Sequence, residues 1–149
     1  MKALLIGTLL LTGRMLMAQS PVQDKSDGQE LIDNFFTYYK QRGPEIALKY
    51  AFSTNKWINN ASGDETLNIS MRLTKLVSTM GDYIGYEEIR SSRVGSRLRF
   101  VTFFVYYERD PLRFIIELYK TNSGWEITHV DFDTKFEEEI EESMKFNGR

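Results

Sequence analysis

The chain contains one histidine, and it stands in a stretch whose residue types could do chemistry, GWEITHVDFD at positions 124–133. His129 is followed by Asp131 and Asp133. An imidazole beside a carboxylate is a general acid–base pairing, and three such groups in a row also raise the question of a metal. Spacing answers the second point. Alternate side chains on a strand lie about 6.5–7 Å apart, too far to close easily on one ion, so no metal site is expected. The acid–base reading needs more than residue types. A small-molecule lyase or isomerase using His129 with Asp131 or Glu117 as base requires those groups to face a water-poor pocket.

Other chemistry is scarce. There is no cysteine, so disulfides, thiolate catalysis and cysteine metal sites are excluded. No glycine-rich phosphate loop and no Gly-x-Ser-x-Gly motif occurs, and no cofactor is expected. Arg90, Arg93, Arg97 and Arg99 flank the Gly95-Ser96 turn. They could hold an anion, but charge at a hairpin tip is ordinarily solvated surface. The acidic run at 137–142 offers a counter-charge. With a net charge of −2 and a pI near 5.5, nucleic acid is not an expected partner.

These groups must be positioned by the elements around them. The first residues, MKALLIGTLLLTGRMLMAQS, place Lys2 before an apolar run and a small-residue site at Met17-Ala18-Gln19. That is the pattern of a secretory signal peptide, residues 1–18, with Arg14 interrupting the apolar run. A polar linker, 19–26, follows. An exported chain without disulfides must rely on its core, which fits a periplasmic or secreted bacterial protein. No later stretch reaches the ~20 apolar residues of a membrane span.

Ser26-Asp27-Gly28-Gln29 has the form of a capping box. Leu31, Ile32, Phe35, Phe36 and Tyr39 then recur at helical spacing up to Gly43. Pro44 opens a second helix with Ile46, Ala47, Tyr50 and Ala51 on one face. Residues 53–61 read as a loop carrying Trp57. Ser62-Gly63-Asp64-Glu65 caps a third helix with Ile69, Leu73, Leu76, Val77 and Met80, stopped by Gly81. From Tyr83 the period becomes two. Strands are expected at 83–94, 97–108, 112–120 and 125–133, joined by short turns, and so form an antiparallel meander. An acidic helix or tail, 135–149, closes the chain.

Three helices followed by four strands predict an α+β domain over residues 27–134, with the helices on a curved antiparallel sheet. The order helix-helix-helix-strand, the turn Met80-Gly81-Asp82-Tyr83-Ile84-Gly85-Tyr86-Glu87 and the closing Gly124-Trp125-Glu126-Ile127 hairpin resemble the nuclear transport factor 2-like superfamily. That is the cone-shaped α+β fold of the broader cystatin-like group, and the likeness covers about residues 27–133. Members include isomerases, dehydratases and hydrolases that place Asp, His or Tyr inside the cone, and many small exported ones without an assigned activity.

Strand parity locates the buried face. Val101, Phe103, Val105 and Tyr107 share a face with Leu112, Phe114, Ile116 and Leu118. The pairs expected across the 109–111 turn are Tyr107 with Leu112 and Val105 with Phe114. In the fourth strand, Trp125 and Ile127 join this face. Strict alternation would then bury His129, Asp131 and Asp133. Burying unpartnered carboxylates costs several kcal/mol, so one extra residue at Thr128-His129, a β-bulge, is expected instead. It returns Val130 and Phe132 to the core and sends His129 outward beside Glu117.

The functional expectation is therefore a non-catalytic exported module that binds a ligand or a protein, with the lyase or isomerase as the alternative. Tyr39, Trp57, Tyr107 and Trp125 could line a pocket between helices and sheet. The opposite sheet face carries Phe100, Phe104, Tyr106, Ile115 and Tyr119. An apolar patch of this kind marks a contact site, and a two-fold homodimer centred on Phe104 and Ile115 is expected. The competing cover for that patch is the chain's own segment 136–146.

Overall fold

The computed structural model describes residues 27–60, 63–137 and 139–141. The expected signal peptide, the linker, Ser26 and most of the acidic tail lie outside the described residues. The domain is α+β, with several helices followed by one four-stranded antiparallel sheet in the order β1-β2-β3-β4. No helix among the described residues is long and apolar enough to cross a membrane.

Helix α1, Gln29–Arg42, begins where the Asp27 carboxylate accepts the Gln29 N–H at 3.1 Å. The bond spans two residues and closes a turn over Gly28, the N-cap, whose φ is +83°. Its buried face is Ile32, Phe35, Phe36 and Tyr39. Helix α2, Pro44–Ser53, buries Ala47, Leu48, Ala51 and Phe52. The stretch read as a loop contains a short helix α3, Lys56–Asn60. The Asn55 side chain caps it, accepting the N–H groups of Trp57 and Ile58 at 2.9 and 3.3 Å. Helix α4, Gly63–Val77, inserts Leu73 into the core. Among the described residues four helices therefore precede the sheet, where three were expected.

The chain turns into the sheet at Gly81, whose φ is +80°. A Cβ there would lie 2.5 Å from the Glu108 carboxylate, which itself accepts the Asp82 N–H at 3.1 Å. Gly81→Ala is expected to cost about 1–2 kcal/mol from the left-handed backbone alone, and more from the displaced Glu108. Urea denaturation measures the total. Adding Glu108→Ala to that variant should recover the steric part and leave the backbone part.

Strands β1, Tyr83–Val94, β2, Leu98–Tyr107, β3, Leu112–Lys120, and β4, Trp125–Asp133, occupy the expected segments within a residue or so. The β2–β3 register differs from the sequence reading. Val105 pairs with Leu112 and Phe103 with Phe114, so the pairing is displaced by two residues. The reason lies at the turn. The Glu108 and Arg109 N–H groups bond to the Asp82 and Met80 carbonyls, and Tyr107 pairs with Tyr83 of β1. These residues are held by the start of β1 and cannot tighten the hairpin. A shift of two keeps every side chain on its face, so the buried set is unchanged.

The helix-facing side of the sheet is Val101, Phe103, Val105 and Tyr107 of β2, Leu112, Phe114, Ile116 and Leu118 of β3, and Ile127, Val130 and Phe132 of β4. None is more than 8% exposed. Aromatic rings knit the layers together. Phe36 stacks on Tyr86 at 3.7 Å between centroids and meets Phe103 edge-on at 4.9 Å, and Phe114 sits between Phe35, Tyr39 and Phe132.

Candidate functional site

The β3–β4 ladder carries the expected irregularity. Glu117 pairs with His129 and Leu118 with Ile127, which leaves Thr128 as the extra residue. Its hydroxyl donates towards the Glu117 carbonyl and carboxylate at 3.3 and 3.1 Å. Val130 and Phe132 are buried, while His129 and Asp131 are exposed on the far side of the sheet. The lyase arrangement, with His129 turned towards the helices, is not the one present. Among the described residues no group of three His, Asp or Glu side chains could hold a metal ion.

Asp133 is engaged elsewhere. Arg113 grips it with two hydrogen bonds of 3.1 and 2.8 Å and reaches both oxygens of Glu139 at 3.0 and 2.9 Å. Arg90 stands 3.6 Å from the same Glu139. Partial burial pushes the Asp133 carboxyl up, but the bonds from Arg113 and the Lys135 N–H, with both side-chain charges, outweigh it and hold the group below its usual range. On the same face Phe136 packs edge-on against Phe104 at 5.9 Å, and Thr102 is buried. The face expected to receive a second copy is thus partly covered by the chain's own C-terminal segment, at its expected centre. Phe100, Tyr106 and Ile115 are half-buried, Tyr119 is exposed, and the Tyr106 hydroxyl donates to Glu87.

The four aromatic residues expected to line a pocket do not converge. Trp57 is 73% exposed on α3, because the Asn55 cap starts a helix that carries it away from the core. Trp125 is half-buried, with the Lys120 ammonium over its ring. Tyr39 and Tyr107 do meet, sharing a buried hydrogen bond of 2.6 Å, and Tyr83 packs against both rings. Burial, then the neighbouring Tyr107, raises the Tyr39 phenol far above its usual value. Burial raises Tyr107 too, against the opposing effect of its hydrogen bond with Tyr39, and pushes Tyr83 to about 12.

A raised phenol stays protonated in the fold while the unfolded chain ionises near pH 10. The unfolded state then binds fewer protons, so stability falls as pH rises. The contribution is intact below about pH 10 and is lost above it. The double variant Tyr39→Phe, Tyr107→Phe is expected to flatten this alkaline limb. Denaturant midpoints taken across that range, with phenolate absorbance followed in parallel, check it.

One constellation escaped the sequence reading. Arg99 does not belong to a solvated tip. Its side chain is 3% exposed and lies 3.3 Å from the Asp27 carboxylate. It also donates to Gln29 at 2.9 Å and Ser91 at 3.0 Å, and Glu88 is 3.7 Å away. Arg93 bonds the other Asp27 oxygen at 2.6 Å, and Arg97 donates to the Lys120 carbonyl. The signal was present in parity: Arg99 lies two residues before Val101, on the buried face. Every buried side-chain polar atom among the described residues has a hydrogen-bond partner, so this network reads as a fastening of α1 to the sheet.

No protein-family model matches the chain, and no curated protein or solved structure is significantly similar to it.

Proposed function

We propose that the chain is an exported, non-catalytic protein-interaction module, cleaved after Ala18 and built on the nuclear transport factor 2-like cone. The observation that supports this reading is the aromatic packing between helices and sheet, where Phe35, Phe36, Tyr39, Phe103, Tyr107 and Phe114 are all buried. Its two innermost hydroxyls satisfy each other. A pocket needs convergent polar groups around open space, and this interior offers a satisfied pair inside a packed core. A protein of this kind acts through its surface, and Trp57 is the side chain best suited to anchor a partner, since exposed tryptophans concentrate binding energy.

The test is native mass spectrometry of the protein drawn from its producing cells. A chain beginning at Gln19, in complex with a protein and released by Trp57→Ala, is the expected result. A bare chain under every growth condition, or a small molecule held one-to-one, would count against it.

A further inference from the structure

Strand β1 is an edge of the sheet, 12 residues long, and exposed at every residue but Tyr83 and Gly85. Three of its apolar side chains stand well into solvent: Ile84 at 66%, Ile89 at 38% and Val94 at 63% exposure. Edges that remain single are ordinarily guarded by lysine, proline or inward-pointing charge. Tyr83–Val94 contains neither Lys nor Pro, and its two inward-pointing charges, Glu88 and Arg93, are met within the chain by Arg99 and Asp27. It does carry two bulges, which also blunt edges, but the extra residue in each is an isoleucine, Ile84 and Ile89.

We infer that β1 pairs antiparallel with β1 of a second copy of this chain, about a two-fold axis between Glu88 and Ile89, joining the two sheets into one. The register follows from the faces. Glu87 lies opposite Phe104 in β2 and Arg90 opposite Thr102, so both project on the side away from the helices. Tyr86 and Ser91, opposite Val105 and Val101, share the helix side. The bulge at Ile89 is what brings residues of odd and even number onto one face. An axis between Glu88 and Ile89 then sets Glu87 of each copy opposite Arg90 of the other, and Tyr86 opposite Ser91. Opposite charges directly across a ladder stabilise it and like charges do the reverse.

Of the registers that keep the faces matched across the bulge, this one places acid against base, twice. That self-complementarity selects a second copy over an unrelated strand, which need not mirror itself. Glu87 accepts one bond from Tyr106, and a carboxylate accepts several. Arg90, 3.6 Å from Glu139, has a guanidinium with five donors. The inference is independent of the proposed function.

Sedimentation equilibrium of the protein as purified from its producing cells, from low to high micromolar concentration, tests it. Hydrogen exchange is read on the same samples. A reversible dimer is expected, with β1 amides that slow as concentration rises. Ile89→Lys should weaken the dimer by about tenfold or more, given what charge does to a strand edge. Glu87→Arg should weaken it as well, and adding Arg90→Glu to that variant should restore it. The circular dichroism of each variant reports its fold, and the restored double variant shows that the single one failed at the contact. A monomer at every concentration overturns the inference. So does a dimer indifferent to Ile89→Lys but abolished by Phe104→Glu, which would place the contact on the sheet face.

Discussion

Arg99→Ala is expected to remove about 3–5 kcal/mol of folding stability, the cost of leaving a buried charge without its partner. The guanidinium fills a polar niche under the start of α1 and answers Asp27, Gln29 and Ser91 together. Its removal strands an Asp27 carboxylate whose side chain is 9% exposed, with Arg93 as its remaining cation. It also loosens the carboxylate that accepts the Gln29 N–H at the start of α1. Domains of this size hold roughly 5–15 kcal/mol in all, so one substitution should take a large share. Urea denaturation of the single variants Arg99→Ala and Asp27→Ala and of the double variant measures it. The double variant should lose clearly less than the sum. Additive losses, or a loss under about 1 kcal/mol for Arg99→Ala, would show that the network is incidental.

Phe114→Ala is expected to cost as much, about 3–5 kcal/mol. Phe114 is fully buried in a central strand and touches rings from α1 and from β4. Its neighbours are themselves large and held by other contacts, so the cavity left behind cannot readily collapse. The expected signature is a lower denaturation midpoint with an unchanged dependence on denaturant, since the fold is retained. A loss near 1 kcal/mol would mean that the core around it re-packs freely. The comparison Ile116→Val, one methylene on the same face, should cost about 0.5–1.5 kcal/mol.

Strand parity carried most of the fold. The alternation from Val101 to Tyr107 and from Leu112 to Leu118 identified the buried face residue by residue, and the cost of burying Asp131 and Asp133 was enough to require the bulge at Thr128. Register was harder. It depends on where a hairpin turns, and here the turn is held by Met80 and Asp82, more than twenty residues earlier in the chain, which no local pattern announces. Helix α3 hid in a stretch with little apolar periodicity, although Asn55 supplied a cap. On α2 the expected stripe missed Leu48 and Phe52, because a helix wedged between α1 and α4 is apolar over a wider arc than one face. At Arg99 charge is a poor guide to surface, because strand parity points the side chain inward. At Trp57 size is a poor guide to burial, because α3 carries the ring into solvent. The interior could be read as aromatic from composition, but whether it was filled depended on packing in three dimensions.

The separation of helices and strands along the chain has a consequence for how the molecule comes into being. Among the described residues every element made before residue 82 is a helix, and the faces of those helices that meet the sheet wait for strands encoded entirely after it. The bonds that fasten the two layers, Arg99 to the Asp27 backbone and Tyr39 to Tyr107, join residues 72 and 68 positions apart. β4 is the last strand to appear, yet it supplies Ile127, Val130 and Phe132 to the core. Among the described residues no N-terminal portion therefore holds the whole core. The nascent chain must carry its greasy helices uncovered until almost the whole domain has been made, a stretch of its life in which holding chaperones have something to hold.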